Sequence, residues 1–446
     1  MMEAIAFAFL AVTSSMIILV LWCWWLVKPS TRRWMTARGA GQKMRCLVVL
    51  GSGGHTAEMF YDLATLGAYR NRIHLMYLVA DTDRGSQAKA EAFEAQHGRG
   101  PAQVKTVPRA REVGQSYWSS IFTTLRALWY TLCAVLSDPP DVVMANGPGT
   151  CVPVVFAAYV TRALCLRDVK VMYSESFACV DHLSLSGRLV YYFADYFTVQ
   201  WPQLLELYPK AQYAGRLYPA EEVERCRQGS LPLPPSQLEA LPTEQGDPGP
   251  PTAIATVGST KFDELIRAVD SRDFLSTLQG LGIKRLKVQR GAGQYQPENL
   301  GSPSQPALPG LEVEVLEYSP DLPTDLRRAA LVISHAGAGT ILDCLLAGRR
   351  LVVVPNETLM ANHQVQLGEA LQEQGLLFCF RAHELLPSLK QADFSKVRSF
   401  PQQSSPVFAK FLGQTLGAGF HGPTTLAANG RSSCKPDLPC LGPKSS

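Results

Sequence analysis

The chain has 446 residues, 46% hydrophobic and 18% charged, and its 42 Lys and Arg against 38 Asp and Glu give a formal net charge of +4. That length allows one to three domains with sizeable cores, and the near-neutral balance excludes the basic footprint of a general nucleic-acid binder. Eleven Cys are scattered without a CxxC pair; Cys434 and Cys440, in a polar Pro-rich tail, make a poor metal site, and the thiols read as buried and reduced, which suits a cytosolic compartment.

In chain order, the first element is the run from Ala4 to Val27, 24 residues without a charge. As a helix it measures about 36 Å, enough to cross a ~30 Å hydrocarbon layer. Trp22, Trp24 and Trp25 stand at its exit, as in an aromatic belt. Lys28, Arg32, Arg33, Arg38, Lys43 and Arg45 follow, and the positive-inside rule then puts the rest of the chain in the cytosol. The run is too long for a cleaved signal peptide, and no basic residue precedes it. We expect a single-pass anchor with its basic flank over 1–42.

Arg45 to Leu50 reads as a buried strand, Gly51-Ser52-Gly53-Gly54-His55 as a turn, and Thr56 onward as a helix. His74 to Ala80, Asp141 to Met144 and Val169 to Tyr173 are further strands, ending at Asp81, at Asn146-Gly147-Pro148-Gly149 and at Ser174-Glu175-Ser176. Between them, Tyr117 to Leu136 carries a helical apolar stripe that either packs on the core or lies in a headgroup layer. Residues 218–251 are Pro-rich and read as a stiff polar linker. A second set of strands begins at Ala253 to Val257 and continues with Leu286 to Gln289, Leu311 to Val315, Leu331 to Ser334 and Leu351 to Pro355. Strands alternating with helices mean parallel α/β sheets, with ligands at the carboxyl ends of the strands. The expected architecture is α/β: two Rossmann-like domains over 43–217 and 252–417, then a tail over 418–446 whose composition predicts disorder.

The most informative stretch is Leu331-Val332-Ile333-Ser334-His335-Ala336-Gly337-Ala338-Gly339-Thr340. A strand, a small-residue turn and a helix start let backbone N–H groups approach a diphosphate, and Asp343 in the following turns is placed for ribose hydroxyls. The Gly51 to His55 turn echoes it. Gly51 and Gly53 fit a dinucleotide fingerprint, but Thr56 stands at its third Gly; with Asp81 at the next strand end, a dehydrogenase stays as a rival reading. His55 is either a base over the cleft or a solvated turn residue. Glu175 is either a base, with its pKa raised by burial, or a cap for the next helix. Asp81-Thr82-Asp83 is read as helix capping rather than as a metal-binding DxD. Gly258, Ser259 and Thr260 close the first strand of the second unit, His335 stands on its Gly loop, and Asn362-His363-Gln364 follows its last strong strand.

Taken together, these segments resemble a family. The second unit, through TVGSTKFDEL, LVISHAGAGTILD and VVVPNETLMANHQ, resembles the catalytic subunit of the UDP-N-acetylglucosamine transferase of asparagine-linked glycosylation. The first, through LGSGGHTAEM, ADTD, VPRAREVGQSY, NGPGTCVP, YSES and DYFTVQWPQLLELYPKAQYAGRL, resembles its membrane-anchor subunit. The order, acceptor side before donor side, is that of bacterial MurG. The resemblance implies a GT-B fold and inverting, metal-independent transfer without a cofactor, from UDP-GlcNAc to GlcNAc-diphosphodolichol. It places the protein on the cytosolic face of the endoplasmic reticulum membrane, with intramolecular pairing of the two domains and a complex with the preceding GlcNAc-phosphotransferase. Gly258, Ser259, Thr260, His335, Gly337 and Gly339 would hold the donor diphosphate, Asp343 the ribose, and Asn362, His363 and Gln364 the sugar and phosphates. Gly53, Gly54, Asn146, Gly147 and Gly149 would line the acceptor side, with His55 or Glu175 as the base. Three positions depart from the family pattern: Asp343 stands for Glu, Cys179 for Arg, and Ala292 for a basic residue, for which Arg290 would substitute. A transferase for another lipid acceptor and a decayed membrane scaffold are the other rivals.

Overall fold

The computed structural model describes residues 43–64, 66, 71–97, 100–110, 117–215, 217, 249–302, 305–357, 363–400 and 411. The expected anchor, Asn362, nearly all of the linker and the tail lie outside them. Among the described residues no helix is long and apolar enough to cross a membrane.

The first unit runs β1 (Met44–Val49), α1 (Gly54–Ala64), β2 (Ile73–Ala80), α2 (Arg84–Gln96), β3 (Val104–Val107), α3 (Tyr117–Leu136), β4 (Val142–Asn146), α4 (Cys151–Ala163), β5 (Lys170–Ser174), α5 (Leu185–Val190), β6 (Tyr196–Val199), α6 (Leu204–Leu207) and β7 (Gln212–Tyr213). Its sheet has the order β3-β2-β1-β4-β5-β6-β7, and every pair is parallel. Met144, Val143 and Val48 are wholly buried, as strands covered on both faces must be.

The second unit runs β8 (Thr252–Thr256), α7 (Asp263–Val269), α8 (Arg272–Gly280), β9 (Arg285–Gln289), a small hairpin of β10 (Gly301–Ser302) and β11 (Gln305–Pro306), β12 (Glu312–Leu316), α9 (Leu322–Arg328), β13 (Leu331–His335), α10 (Ala338–Leu346), β14 (Arg350–Val354), α11 (His363–Glu373), β15 (Phe378–Cys379) and α12 (Leu385–Gln391). Its parallel sheet has the order β12-β9-β8-β13-β14-β15. In both sheets the winding reverses beside the first strand, between β1 and β4 and between β8 and β13. That is where a doubly wound sheet opens a crevice, and all the expected Gly loops stand at these two points.

The units meet face to face. One buried apolar cluster runs through both, with Tyr173 and Phe197 of the first and Ile341 and Val353 of the second among its members. Phe177 meets Phe400 edge-on, and Phe411 returns from the second unit to pack on Tyr196 of the first, with ring centroids 5.0 Å apart.

Candidate functional site

The two Gly loops touch. A methyl group built on Gly54 would lie 3.1 Å from the amide nitrogen of Gly339, and one built on Gly339 would lie 3.0 Å from the Cα of Gly54. Helices α1 and α10 therefore begin at one shared point, backbone against backbone, and a side chain on either glycine would force the other backbone to give way by a few tenths of an ångström. Seven residues, two turns, beyond Gly54 on α1, the Tyr61 hydroxyl donates to Oδ1 of Asp343 across the same boundary. Burial raises the Asp343 carboxyl, with the Tyr61 hydrogen bond opposing that shift.

Each unit also wraps a histidine. The His55 ring lies against Gly147, whose φ of +54° is open to glycine but strained for other residues. The Asn146 amide donates to the His55 carbonyl at 2.7 Å, fixing the first turn of α1 to the end of β4. Nδ1 of His55 and Oδ1 of Asn146 are buried without partners, and burial pushes His55 down to about 4. In the second unit a methyl on Gly258, at φ +62°, would lie 2.5 Å from the His335 ring, and Gly337 is also packed on that ring. Burial likewise pushes His335 down to about 4. Both imidazoles are neutral at pH 7.

Glu175 is placed differently. Its carboxylate is fully buried and accepts from the amide and hydroxyl of Ser184, at 3.0 and 3.2 Å, and from the amide of Ser176. Ser184 in turn caps α5 through Gly187 N–H. Desolvation raises Glu175. Beneath it lies Glu58 of α1, which accepts from the Ser176 hydroxyl at 2.9 Å and is pushed up to about 8, mainly by burial. Cys179 is buried beside both carboxyls, which adds to the burial that holds its thiol protonated. Glu175 thus braces the loop after β5 and faces no open space.

Among the remaining expected residues, Gly53 has φ +66° with nothing close to it, and Gly149 is equally open. Ser259 is exposed just after β8, while the Thr260 hydroxyl is given to the Val257 carbonyl at 2.8 Å. Arg290 donates to the Gly293 carbonyl at 3.2 Å. Gln364 accepts from the Asn356 amide at 2.9 Å, closing the loop before α11. His363 faces His182 of the other unit. The Asp83 carboxylate accepts from Ser86 N–H at 3.0 Å and caps α2, as the capping reading expects. Among the described residues, no group of three or more His, Cys, Asp or Glu is arranged to hold a metal ion.

Tyr61, Glu58 and His182 were not anticipated. All three depend on contacts between segments far apart in the chain, which no local spacing signals.

Two parallel-sheet α/β units facing one crevice make the GT-B class. Solved structures of that shape include the glycotransferase of kitacinnamycin, 16% identical with TM-score 0.50, covering 84% of this chain and 96% of that one. A UDP-N-acetylglucosamine 2-epimerase is 13% identical with TM-score 0.51, covering 87% and 100%. The fold is therefore common to transferases and epimerases, and sequence must separate them. Residues 46–217 match the family described as oligosaccharide biosynthesis protein Alg14 like, and residues 252–407 match the glycosyltransferase family 28 C-terminal domain. The UDP-N-acetylglucosamine transferase subunit ALG14 of Homo sapiens is 41% identical over 183 residues, 40% of this chain and 84% of the human protein. The chain belongs to the Alg14 family and carries a family 28 glycosyltransferase domain on the same polypeptide.

Proposed function

We propose that this chain transfers GlcNAc from UDP-GlcNAc to GlcNAc-diphosphodolichol, with inversion and without a metal ion, at the cytosolic face of the endoplasmic reticulum membrane. The observation that carries this reading is the Gly54–Gly339 contact, which sets the acceptor-side and donor-side loops of one chain against each other. The α10 start, with Ser259 beside it, offers N–H and O–H donors to the diphosphate that leaves; charge stabilisation at a preorganised loop is the main catalytic resource of such a site. Asp343 takes the ribose in exchange for its hydrogen bond from Tyr61.

His55 is the better base. It is neutral, it lies on the cleft side of β1 and β4, and its carbonyl is pinned by Asn146, whereas Glu175 is enclosed by its own loop. As the acceptor oxygen attacks the sugar C1, His55 takes its proton and UDP leaves with the bonding pair.

A bilayer location is supported by the surface of the first unit. On α3, Val135 and Ala127 face the core while Phe122, Leu125, Trp129 and Tyr130 are exposed. Phe156 on α4 and Leu185, Leu189, Tyr192 and Phe193 at α5 continue that apolar face. The exposed Arg126 and Arg188 stand in the same helices. Monomeric proteins rarely leave so large an apolar area open to water.

The test incubates the purified chain with UDP-GlcNAc, a GlcNAc-diphospholipid and a chelator. A disaccharide lipid is the expected product. None with or without added metal ions refutes the transfer reading, and product only with metal refutes its metal-free form.

A further inference from the structure

The loop between β5 and α5 carries His182, its only basic residue over 175–184. The ring is half-buried and lies over that of His363, the first residue of α11 in the other unit, with centroids 5.1 Å apart and planes inclined by 31°. Nδ1 of His363 is buried without a hydrogen-bond partner. This pair differs from His55 and His335, each of which is wrapped by glycines of its own unit. Here two imidazoles meet across the crevice.

The two rings are tilted against each other, and the buried Nδ1 of His363 keeps a hydrogen-bonding capacity that a group beside the pair would satisfy. Burial and the neighbouring ring both hold His363 below its ordinary value, so charge is disfavoured there. An anion reverses that preference at His363, because an imidazolium offers two N–H donors and charge-assisted bonds are the strong ones. Cys179, three residues before His182, is a buried thiol and supplies no cation on this loop.

We propose that His182 and His363 together bind a diphosphate group, one imidazole from each unit, and that His182 thereby makes the acceptor-side unit part of the diphosphate site. This rests on the transfer reading for its ligand class. The diphosphate belongs to the nucleotide or to the lipid acceptor, and both present the same chemistry to the pair.

The experiment measures dissociation constants of UDP, UMP and farnesyl diphosphate by calorimetry on the full chain in detergent. Wild type is compared with His182→Ala, His182→Gln and His182→Lys. We expect His182→Ala and His182→Gln to weaken UDP or farnesyl diphosphate roughly ten- to hundred-fold, as loss of a hydrogen bond to a charged group does. We expect UMP to be unchanged and His182→Lys to recover most of the loss. Whichever diphosphate weakens identifies the source. Unaltered binding of both diphosphates overturns the proposal, as does an equal loss for UDP and UMP, which marks a merely structural role. Absence of disaccharide lipid from wild-type protein refutes the transfer reading instead, and the titrations still decide whether the histidines hold a diphosphate.

Discussion

His55 and Glu175 show how burial separates two residues that sequence leaves equivalent. A carboxylate after a strand end reads the same whether it is a base or a brace, and a histidine after two glycines reads the same whether it is a base or a turn. The contacts differ: the Glu175 oxygens accept from Ser184 and Ser176, whereas Nδ1 of His55 is buried without a partner, which favours His55 under the proposed transfer. His55→Ala should lower kcat by roughly 10²–10⁴-fold, the range for a general base, with a folded protein by circular dichroism. With His55 down at about 4, the kcat/KM profile should show no acid limb near the ordinary imidazole value; a limb near pH 6.5 would point to another base. Glu175→Ala should cost about 1–3 kcal/mol in denaturant unfolding, since Ser184 loses its acceptor. Its neighbour Glu58 gives a pH signature. Its folded pKa of about 8 lies above that of the unfolded chain, so the native state binds the extra proton. The stability this contributes is complete below the ordinary carboxylate range and is lost as pH rises through about 8. Glu58→Gln should therefore melt increasingly later than wild type as pH is raised from 5.5 to 8.5; a constant difference would contradict the raised pKa.

At the scale of elements, the Gly54–Gly339 contact sets two effects of one substitution against each other. Alanine at Gly339, inside α10, gains roughly 0.5–1 kcal/mol of helix stability over glycine. Its methyl would meet the Gly54 Cα at 3.0 Å, however, where the atom that must give way is backbone rather than the end of a flexible side chain. We expect the interface to lose: Gly339→Ala should leave the second unit folded while activity falls, and X-ray scattering should show a larger radius of gyration. The strands at the two crevices were legible because β1, β4, β8 and β13 are short apolar runs ending in Gly loops. Strands β3, β6, β7 and β15 were not. β7 has two residues, and β3 is a half-exposed VKTV at a sheet edge, so pairing with a neighbour defines these two more than hydrophobicity does; β6 is a buried YFTV too short to stand out from the apolar residues around it. Helix α3 was legible as amphipathic, but its stripe splits. Val135 faces the core, Leu128 and Leu132 are half-buried, and Phe122, Leu125 and Trp129 face outward. If that outward face meets lipid, a chain lacking residues 1–42 should still sediment with anionic liposomes, and Phe122→Glu with Trp129→Glu should release it.

For the whole molecule, the question is what the covalent join between the two units accomplishes. The crevice is held by the glycine contact, the Tyr61–Asp343 hydrogen bond, Phe177 on Phe400, Phe411 on Tyr196 and a shared apolar cluster. Those contacts would hold two separate chains together as well, only with a finite dissociation constant. A tether instead presents each unit to the other at an effective concentration of order mM when it can span the gap. At that concentration an interface of even ~10 μM affinity is almost fully formed, and its occupancy does not depend on enzyme concentration. Specific activity of the intact chain should then stay constant on dilution from micromolar to nanomolar. A protease site placed within 230–240 converts the chain into two pieces. After cleavage the pieces should co-elute at micromolar concentration and keep their turnover there. On dilution their specific activity should fall, and the midpoint of that fall measures the dissociation constant of the interface. Equal dilution behaviour before and after cleavage would mean that the interface alone suffices and that the linker adds nothing to assembly.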